Sequence, residues 1–296
     1  MEQELAFAAR ARSVAARNNS LVCVGLDPNI ERFPTALRAR AGHDLAGAIV
    51  EFNRAIIEAT ADLVCAYKPN LAFYLAHGLA GLEALTRTRA LIPRDIPAIL
   101  DAKVNDMAST ATAYATAYFG TLDFDAVTLN AYLGADSLAP FLAYRGRGVF
   151  ILCRTSNPSA GELQDLAVVR GQGAADDTEP LYQAVARQIG IWEAGFDTPG
   201  ACGVVAGATY PREIAAIRAI LPTAPFLIPG VGEQGGDVAA AVQAGLDADG
   251  YGVLINAGRS ITYSSSGVDF AAAARRATIA LRDEINAARS SATVRG

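Results

Sequence analysis

The sequence predicts a single (β/α)8 TIM barrel spanning residues 1–296, and three observations carry that expectation. Eight short apolar runs recur along the chain, nearly continuous in apolar character, as parallel strands buried on both faces are. Alanine-rich amphipathic stretches lie between them, giving the strand–helix alternation of α/β folds. Polar and charged residues gather where the runs end. A doubly wound sheet is the competing layout. It asks for a glycine fingerprint directly after an early strand, whereas the first run here leads into "DPNIERFP".

In chain order the candidate strands are "LVCVGLD" (21–27), "LVCAYKP" (63–69), "IPAILDAK" (96–103), "FDAVTLNAY" (124–132), "GVFILCRTS" (148–156), "CGVVAGAT" (202–209), "PFLIPGVG" (225–232) and "GYGVLINAG" (250–258). Helical patterns between them include "LAGAIVEFNRAIIEAT" and "PREIAAIRAI", the latter opening with Pro211 at a first helical position. Residues 157–195 are too long for one connection and carry a polar middle, so they read as an elaborated surface loop after strand five, followed by a helix. The tail from Ser290, "SSATVRG", reads as frayed and flexible.

Composition removes several classes of function. Net charge is −5 and no Lys/Arg run exceeds two residues, which argues against a nucleic-acid surface. No uninterrupted apolar stretch approaches a membrane span, and the first twenty residues lack the apolar segment of a secretion signal. Cys23, Cys65, Cys153 and Cys202 are widely spaced, each within an apolar run. They read as buried free thiols, which places the protein in a reducing cytoplasm. His43 and His77 fall in helical contexts, and with no clustered cysteines a zinc site is not expected.

The third run ends in "LDAKVNDMASTA" (100–111), crowding Asp101, Lys103 and Asp106. A side-chain period of two places Asp101 and Lys103 on one side of the strand. Asp106, farther on, is free to fold back or to reach a neighbouring subunit. A solvated ion-pair cluster explains this stretch alone, but Lys68, from the second run, brings another cation to the same barrel mouth. Alternating lysines and carboxylates in a partly dry pocket ask for mutual pairing or a functional reason. Asp27, Asn70, Asn130, Thr155, Ser156 and Thr209 also fall at strand ends. After the last two runs come "PGVGEQGGD" (229–237) and "NAGRS" (256–260), glycine-rich and carrying Gln234 and Arg259. Such loops hold phosphate groups in barrels of this kind, although tight turns alone would also account for the glycines. A small phosphorylated substrate is the expectation.

Taken in order, "CVGLDPN" (23–29), "YKPNLAFY" (67–74), "LDAKVNDMASTA", "CRTSNPSAGELQD" (153–165), "GVVAGATYP" (203–211), "IPGVGEQGGD" (228–237) and "INAGRSITY" (255–263) resemble the orotidine 5'-phosphate decarboxylase family in its longer bacterial branch. The Asp-x-Lys-x-x-Asp spacing is intact, while Val104-Asn105 stands where many members carry Arg-Gly. The resemblance implies decarboxylation of orotidine 5'-phosphate to uridine 5'-phosphate in pyrimidine biosynthesis, without metal or organic cofactor, by a homodimer of barrels.

Residue by residue, the resemblance makes Lys68, Asp101, Lys103 and Asp106 an alternating charged network. Asp106 and Thr110 would reach the ribose of the partner subunit's site. Asp27 would contact the ribose, Ser156 the pyrimidine ring, and Gln234, Gly258 and Arg259 the phosphate. Lys103 would stabilise and protonate the C6 carbanion. Pentulose- or hexulose-phosphate enzymes on a similar barrel, which use magnesium, and a catalytically silent binding barrel are the rival readings.

Overall fold

The computed structural model describes residues 6–170, 177–198, 201–231 and 236–293. Ten strands occur among these residues: β1 Val22–Gly25, β2 Ala66–Lys68, β3 Ile99–Val104, β4 Ala126–Leu129, β5 Gly148–Arg154, β6 Ala167–Val169, β7 Thr178–Pro180, β8 Cys202–Ala206, β9 Phe226–Pro229 and β10 Val253–Ala257. Eight form one sheet in the order β2-β1-β10-β9-β8-β5-β4-β3, with every pairing parallel. Parallel bridges Tyr67–Ala98 and Asn70–Asp101 join the two ends, closing the (β/α)8 barrel. Each expected apolar run supplies one of its strands. β1, β2, β4 and β8 are buried at every position, which is why no polar alternation marks them.

The helices are α1 Phe7–Arg17, α2 Thr35–Ala41, α3 Leu45–Thr60, α4 Leu71–Leu75, α5 Gly78–Leu91, α6 Ala108–Ala115, α7 Ala135–Leu142, α8 Gly161–Gln164, α9 Leu181–Gly195, α10 Pro211–Ile220, α11 Val238–Gly245, α12 Arg259–Thr262 and α13 Phe270–Thr293. Asp44 caps α3 by accepting from the Gly47 N–H at 2.8 Å. Pro211 opens α10, as its missing N–H allows.

Helix α1 covers the base of the barrel. Phe7 is fully buried edge-on to Phe150, with ring centroids 5.5 Å apart. Gly148 makes room for it, since a Cβ there would lie 2.6 Å from the Phe7 ring. Arg10 reaches buried Asp125 at 2.7 Å, and Arg89 and Arg147 bind the same carboxylate. The charges at this end are therefore committed to one another.

Two stretches hold secondary structure that the sequence reading does not assign. Within 157–195, β6 and β7 pair antiparallel, so part of this stretch is a two-stranded sheet. Buried Glu179 holds it to α9 by accepting from Arg187 at 2.6 and 2.9 Å. Helix α13 continues through Ser290, where fraying is expected, to Thr293. The Ser290 and Ser291 hydroxyls donate back to the carbonyls of Asn286 and Ala287. In that way side chains that suggest a loop are absorbed into a helix.

Candidate active site

At the C-terminal ends of the barrel strands lies a cavity of about 510 Å³. Asp27, Lys68, Asp101, Lys103, Ser156, Gly258 and Arg259 all line it, so seven of the ten expected site residues converge. Asp106 and Thr110 do not line it: Asp106 is a half-buried residue of the loop after β3, and Thr110 is exposed in the first turn of α6. Gln234 lies outside the described residues. Among the other strand-end residues, Asn70 and Thr155 also line the cavity, whereas Asn130 and Thr209 are exposed elsewhere.

Asp101 is the centre of the charged group. Its Oδ2 accepts from Lys68 Nζ at 2.7 Å and from Asn70 Nδ2 at 3.5 Å. Its Oδ1 accepts from Lys103 Nζ and, at 3.0 Å, from the Thr128 hydroxyl. Burial by itself would raise the pKa of this carboxyl, but the two ammonium groups outweigh it and hold the pKa well below the usual value. Lys68 is displaced upward: burial opposes its charge, yet Asp101 and Asp27 more than compensate. Asp27 shifts up because desolvation exceeds the help from Lys68. Its Oδ1 accepts from the Asn70 N–H at 3.1 Å. Lys103 differs from Lys68 in access, its side chain being 45% exposed against 4%. One lysine is thus a buried anchor and the other opens onto the cavity.

The backbone reason for this arrangement is not a plain strand period. The register of β3 against β4 shifts between Leu100 and Val104, and Lys103 takes φ +52°, unusual for a residue other than glycine. The Thr128 hydroxyl accepts from the N–H groups of both Ala102 and Lys103 at 2.9 Å. Asp101 and Lys103 do meet, but across this irregularity.

Leu152, Val205 and Pro229 contribute an apolar side to the same cavity. Ser156 stands at the end of the β5 loop, held by a buttress behind it. Arg154, buried and stacked 3.8 Å from the Tyr210 ring, donates to Asp165 at 3.0 Å. Gln164 accepts from the Thr155 N–H at 2.9 Å. Gly207 permits the close pass of this loop, since a Cβ there would lie 2.7 Å from that of Ser156. On the other side, Gly25 passes so near Gly258 that an added Cβ would lie 3.0 Å from the Gly258 Cα. That contact sets Asp27 beside the β10 loop carrying Arg259. Tyr263 ties the two together, its hydroxyl donating to the Asp27 carbonyl at 2.8 Å and accepting from the Asn29 N–H at 2.6 Å.

Sequence reasoning does not find Thr128, Leu152, Val205, Gln164 or Asn256 as members of this site or its support. Asn256 lines the cavity, and its Oδ1 is buried without a hydrogen-bond partner. Thr128, Leu152, Val205 and Asn256 lie within apolar runs, where they read as strand residues, and Gln164 lies in the stretch read as a surface loop. The signals available are the position of Asn256, two residues ahead of Gly258, and that of Gln164 within "CRTSNPSAGELQD". Among the described residues, no group of three or more His, Cys, Asp or Glu is placed to hold a metal ion.

Comparison with known proteins agrees with this architecture over nearly the whole chain. The profile of the "Orotidine 5'-phosphate decarboxylase / HUMPS family" matches residues 20–277. The chain is 50% identical over 281 residues to the orotidine 5'-phosphate decarboxylase of Thermomicrobium roseum, covering 95% of each chain. It is 49% identical over 289 residues to that of Paracidovorax citrulli, covering 96% of this chain and all of the other. The solved structure of Leishmania donovani OMP decarboxylase superposes with a TM-score of 0.80 at 39% identity, covering 96% of this chain and 99% of that one.

Proposed function

The chain belongs to the orotidine 5'-phosphate decarboxylase / HUMPS family, and on that premise we propose that it converts orotidine 5'-phosphate to uridine 5'-phosphate and CO₂. The observation that carries the reading is the Lys68–Asp101–Lys103 group at the floor of the cavity, with its exposed ammonium facing inward. Breaking the bond from C6 to the carboxylate leaves its electron pair on C6. The Lys103 ammonium stabilises that pair as CO₂ departs, then forms the new C6–H bond with one of its protons. Solvent returns a proton to the lysine. No electron acceptor enters this balance, so the reading needs neither metal nor organic cofactor.

Asp101 stays ionised because two lysines hold it so. It sits beside the place of the substrate carboxylate and repels it until CO₂ is lost. The apolar side formed by Leu152 and Val205 suits neutral CO₂ better than a carboxylate. Asp27 takes the ribose hydroxyls and Ser156 the pyrimidine edge. Arg259, with the backbone of Gly258 and with Gln234, takes the phosphate. That remote grip supplies binding energy that offsets holding the ring carboxylate against Asp101.

Asp106 and Thr110 serve the pocket of a second copy in a homodimer. Their absence from their own chain's cavity supports this assignment. So do the apolar side chains exposed on the segments that follow β2, β3 and β4, among them Leu79 at the start of α5 and Met107 and Tyr132 in loops. These strands are neighbours in the barrel, so the loops share one face. The four buried free cysteines support a reducing, cytoplasmic setting.

The direct test follows the absorbance of orotidine 5'-phosphate after adding purified protein pretreated with a chelator. Loss of the substrate band with release of uridine 5'-phosphate is the expected result. An unchanged substrate band, with turnover of a pentulose or hexulose phosphate that requires added magnesium, would instead favour a sugar-phosphate reaction on the same barrel.

A further inference from the structure

The Thr128 hydroxyl, which binds Asp101 within the charged group, has all its hydrogen-bonding capacity in use. A hydroxyl accepts twice and donates once. The two acceptances are taken by the N–H groups of Ala102 and Lys103, both at 2.9 Å. Its own proton therefore points to Asp101 Oδ1, 3.0 Å away. The direction of that bond is forced, and it requires Asp101 to be the acceptor, as an ionised carboxylate is. Thr128 is buried and does not line the cavity, so it touches no substrate.

The same hydroxyl accounts for an otherwise unfavourable backbone. Lys103 holds φ +52° without being glycine, and local strain of this kind persists where surrounding contacts over-determine it. Two consecutive N–H groups captured by one oxygen on the neighbouring strand are such contacts. The bulge they fix lets Lys103 Nζ reach the Asp101 oxygen that Thr128 also binds, while Lys68 and Asn70 take the other oxygen.

We infer that Thr128 is a positioning residue for decarboxylation: through one hydroxyl it locks the β3 bulge that aims Lys103 and orients the Asp101 carboxylate beneath it. The inference rests on the reading of Lys103 as proton donor given above. It assigns Thr128 an effect on the chemical step and none on substrate affinity, because it lies behind the charges.

The test compares Thr128→Val, which removes the hydroxyl, with Thr128→Ser, which keeps it. Thr128→Val is expected to lower kcat by about thirtyfold or more per binding-competent site, with KM within about threefold of the parent, as misplacing a catalytic group does. Exchange of the C6 hydrogen of uridine 5'-phosphate with heavy water reads the Lys103-to-C6 proton transfer alone, and it should fall in parallel. Thr128→Ser is expected to stay within about threefold of the parent in both measurements.

A purely structural role would lower the melting temperature and the fraction of competent sites, with kcat per site and exchange unchanged. That result overturns the inference, as does a serine chain impaired as badly as the valine chain. Should the valine chain not fold, Thr128→Cys places a weaker donor and acceptor at the same point. An intermediate loss is then expected, and a parental kcat overturns the proposal. Lys103→Ala is the control. If it keeps the parental rate, the functional reading itself is wrong. If it is inactive while Thr128→Val is not impaired, only the role of Thr128 is lost.

Discussion

Lys68 and Asp101 meet at 2.7 Å with side chains 4% and 9% exposed, while Lys103 holds the other oxygen of the same carboxylate from the open side. The pair is therefore asymmetric. Lys68 neutralises a buried charge, and Lys103 is left to work at the cavity surface. Replacing Lys68 with methionine removes a buried partner and leaves Asp101 with the exposed lysine alone. The expected loss is about 3 kcal/mol of unfolding free energy, measured by urea titration. Combining Lys68→Met with Asp101→Leu should recover most of it, because an apolar pair removes both buried charges. A single-mutant loss below about 1 kcal/mol would mean that Lys103 alone balances Asp101.

Asp27 and Asp101, the two carboxyls that line the cavity among the described residues, should respond to pH with opposite signs. Asp101 is held below its ordinary value by Lys68 and Lys103 despite burial. Its contribution to stability is present above the unfolded value near 3.8 and is lost as pH falls towards the folded value. Asp27 is raised by desolvation, so its protonated form fits the native state better. Its contribution is fully present below the unfolded value and is lost as pH rises through the folded one. Asp27→Asn should therefore stabilise the empty enzyme relative to the parent at pH 7 and much less at pH 3, in urea midpoints measured at both. A mutant that gains nothing at pH 7 would contradict the upward displacement.

Arg259 lies at the start of α12 and lines the cavity from the β10 side, whereas Lys68, Asp101 and Lys103 come from β2 and β3. Its removal should act on the phosphate end alone. Arg259→Ala is expected to cut kcat/KM for orotidine 5'-phosphate by about a hundredfold or more, the loss of a charge-assisted, bidentate contact. Turnover of the unphosphorylated nucleoside should change little. Equal fractional losses on the two substrates would place Arg259 with the ring or the fold.

Much of this was legible in the chain because of how parallel strands are buried. With both faces covered, β1, β4 and β8 appear as unbroken apolar runs, so a charge at the end of one stands out. Lys68, Asp101 and Lys103 are visible for that reason. The bulge in β3 was not legible, since it depends on a hydroxyl from the neighbouring strand. In "FDAVTLNAY" Thr128 is merely a β-branched residue suited to a strand. Period-two reasoning brought Asp101 and Lys103 together correctly, but the register shift is what lets them meet. The β6–β7 pairing was hidden similarly, because the partner that makes burial of Glu179 tolerable, Arg187, lies on the following helix.

The position of Asp106 gives the sharpest test of how the site is completed. It lies just beyond the strand that carries Asp101 and Lys103, yet it does not line the cavity they form. Among the described residues it makes no ion pair, its carboxylate accepting only from the Met107 N–H at 2.7 Å. If it completes the pocket of a second copy, Asp106→Ala and Lys103→Ala chains are each nearly inactive alone but complement when mixed. In a mixed dimer one pocket carries both defects and the other carries neither. Random reassortment makes about half the dimers mixed, so about a quarter of the parental activity per total site should return, given a closed two-fold dimer. Co-refolding the two chains, confirming mixed dimers by native mass spectrometry and assaying decarboxylation measures this directly. Confirmed mixed dimers without recovered activity would assign Asp106 to its own subunit, and the exposed apolar face around Met107 and Tyr132 would then need another explanation.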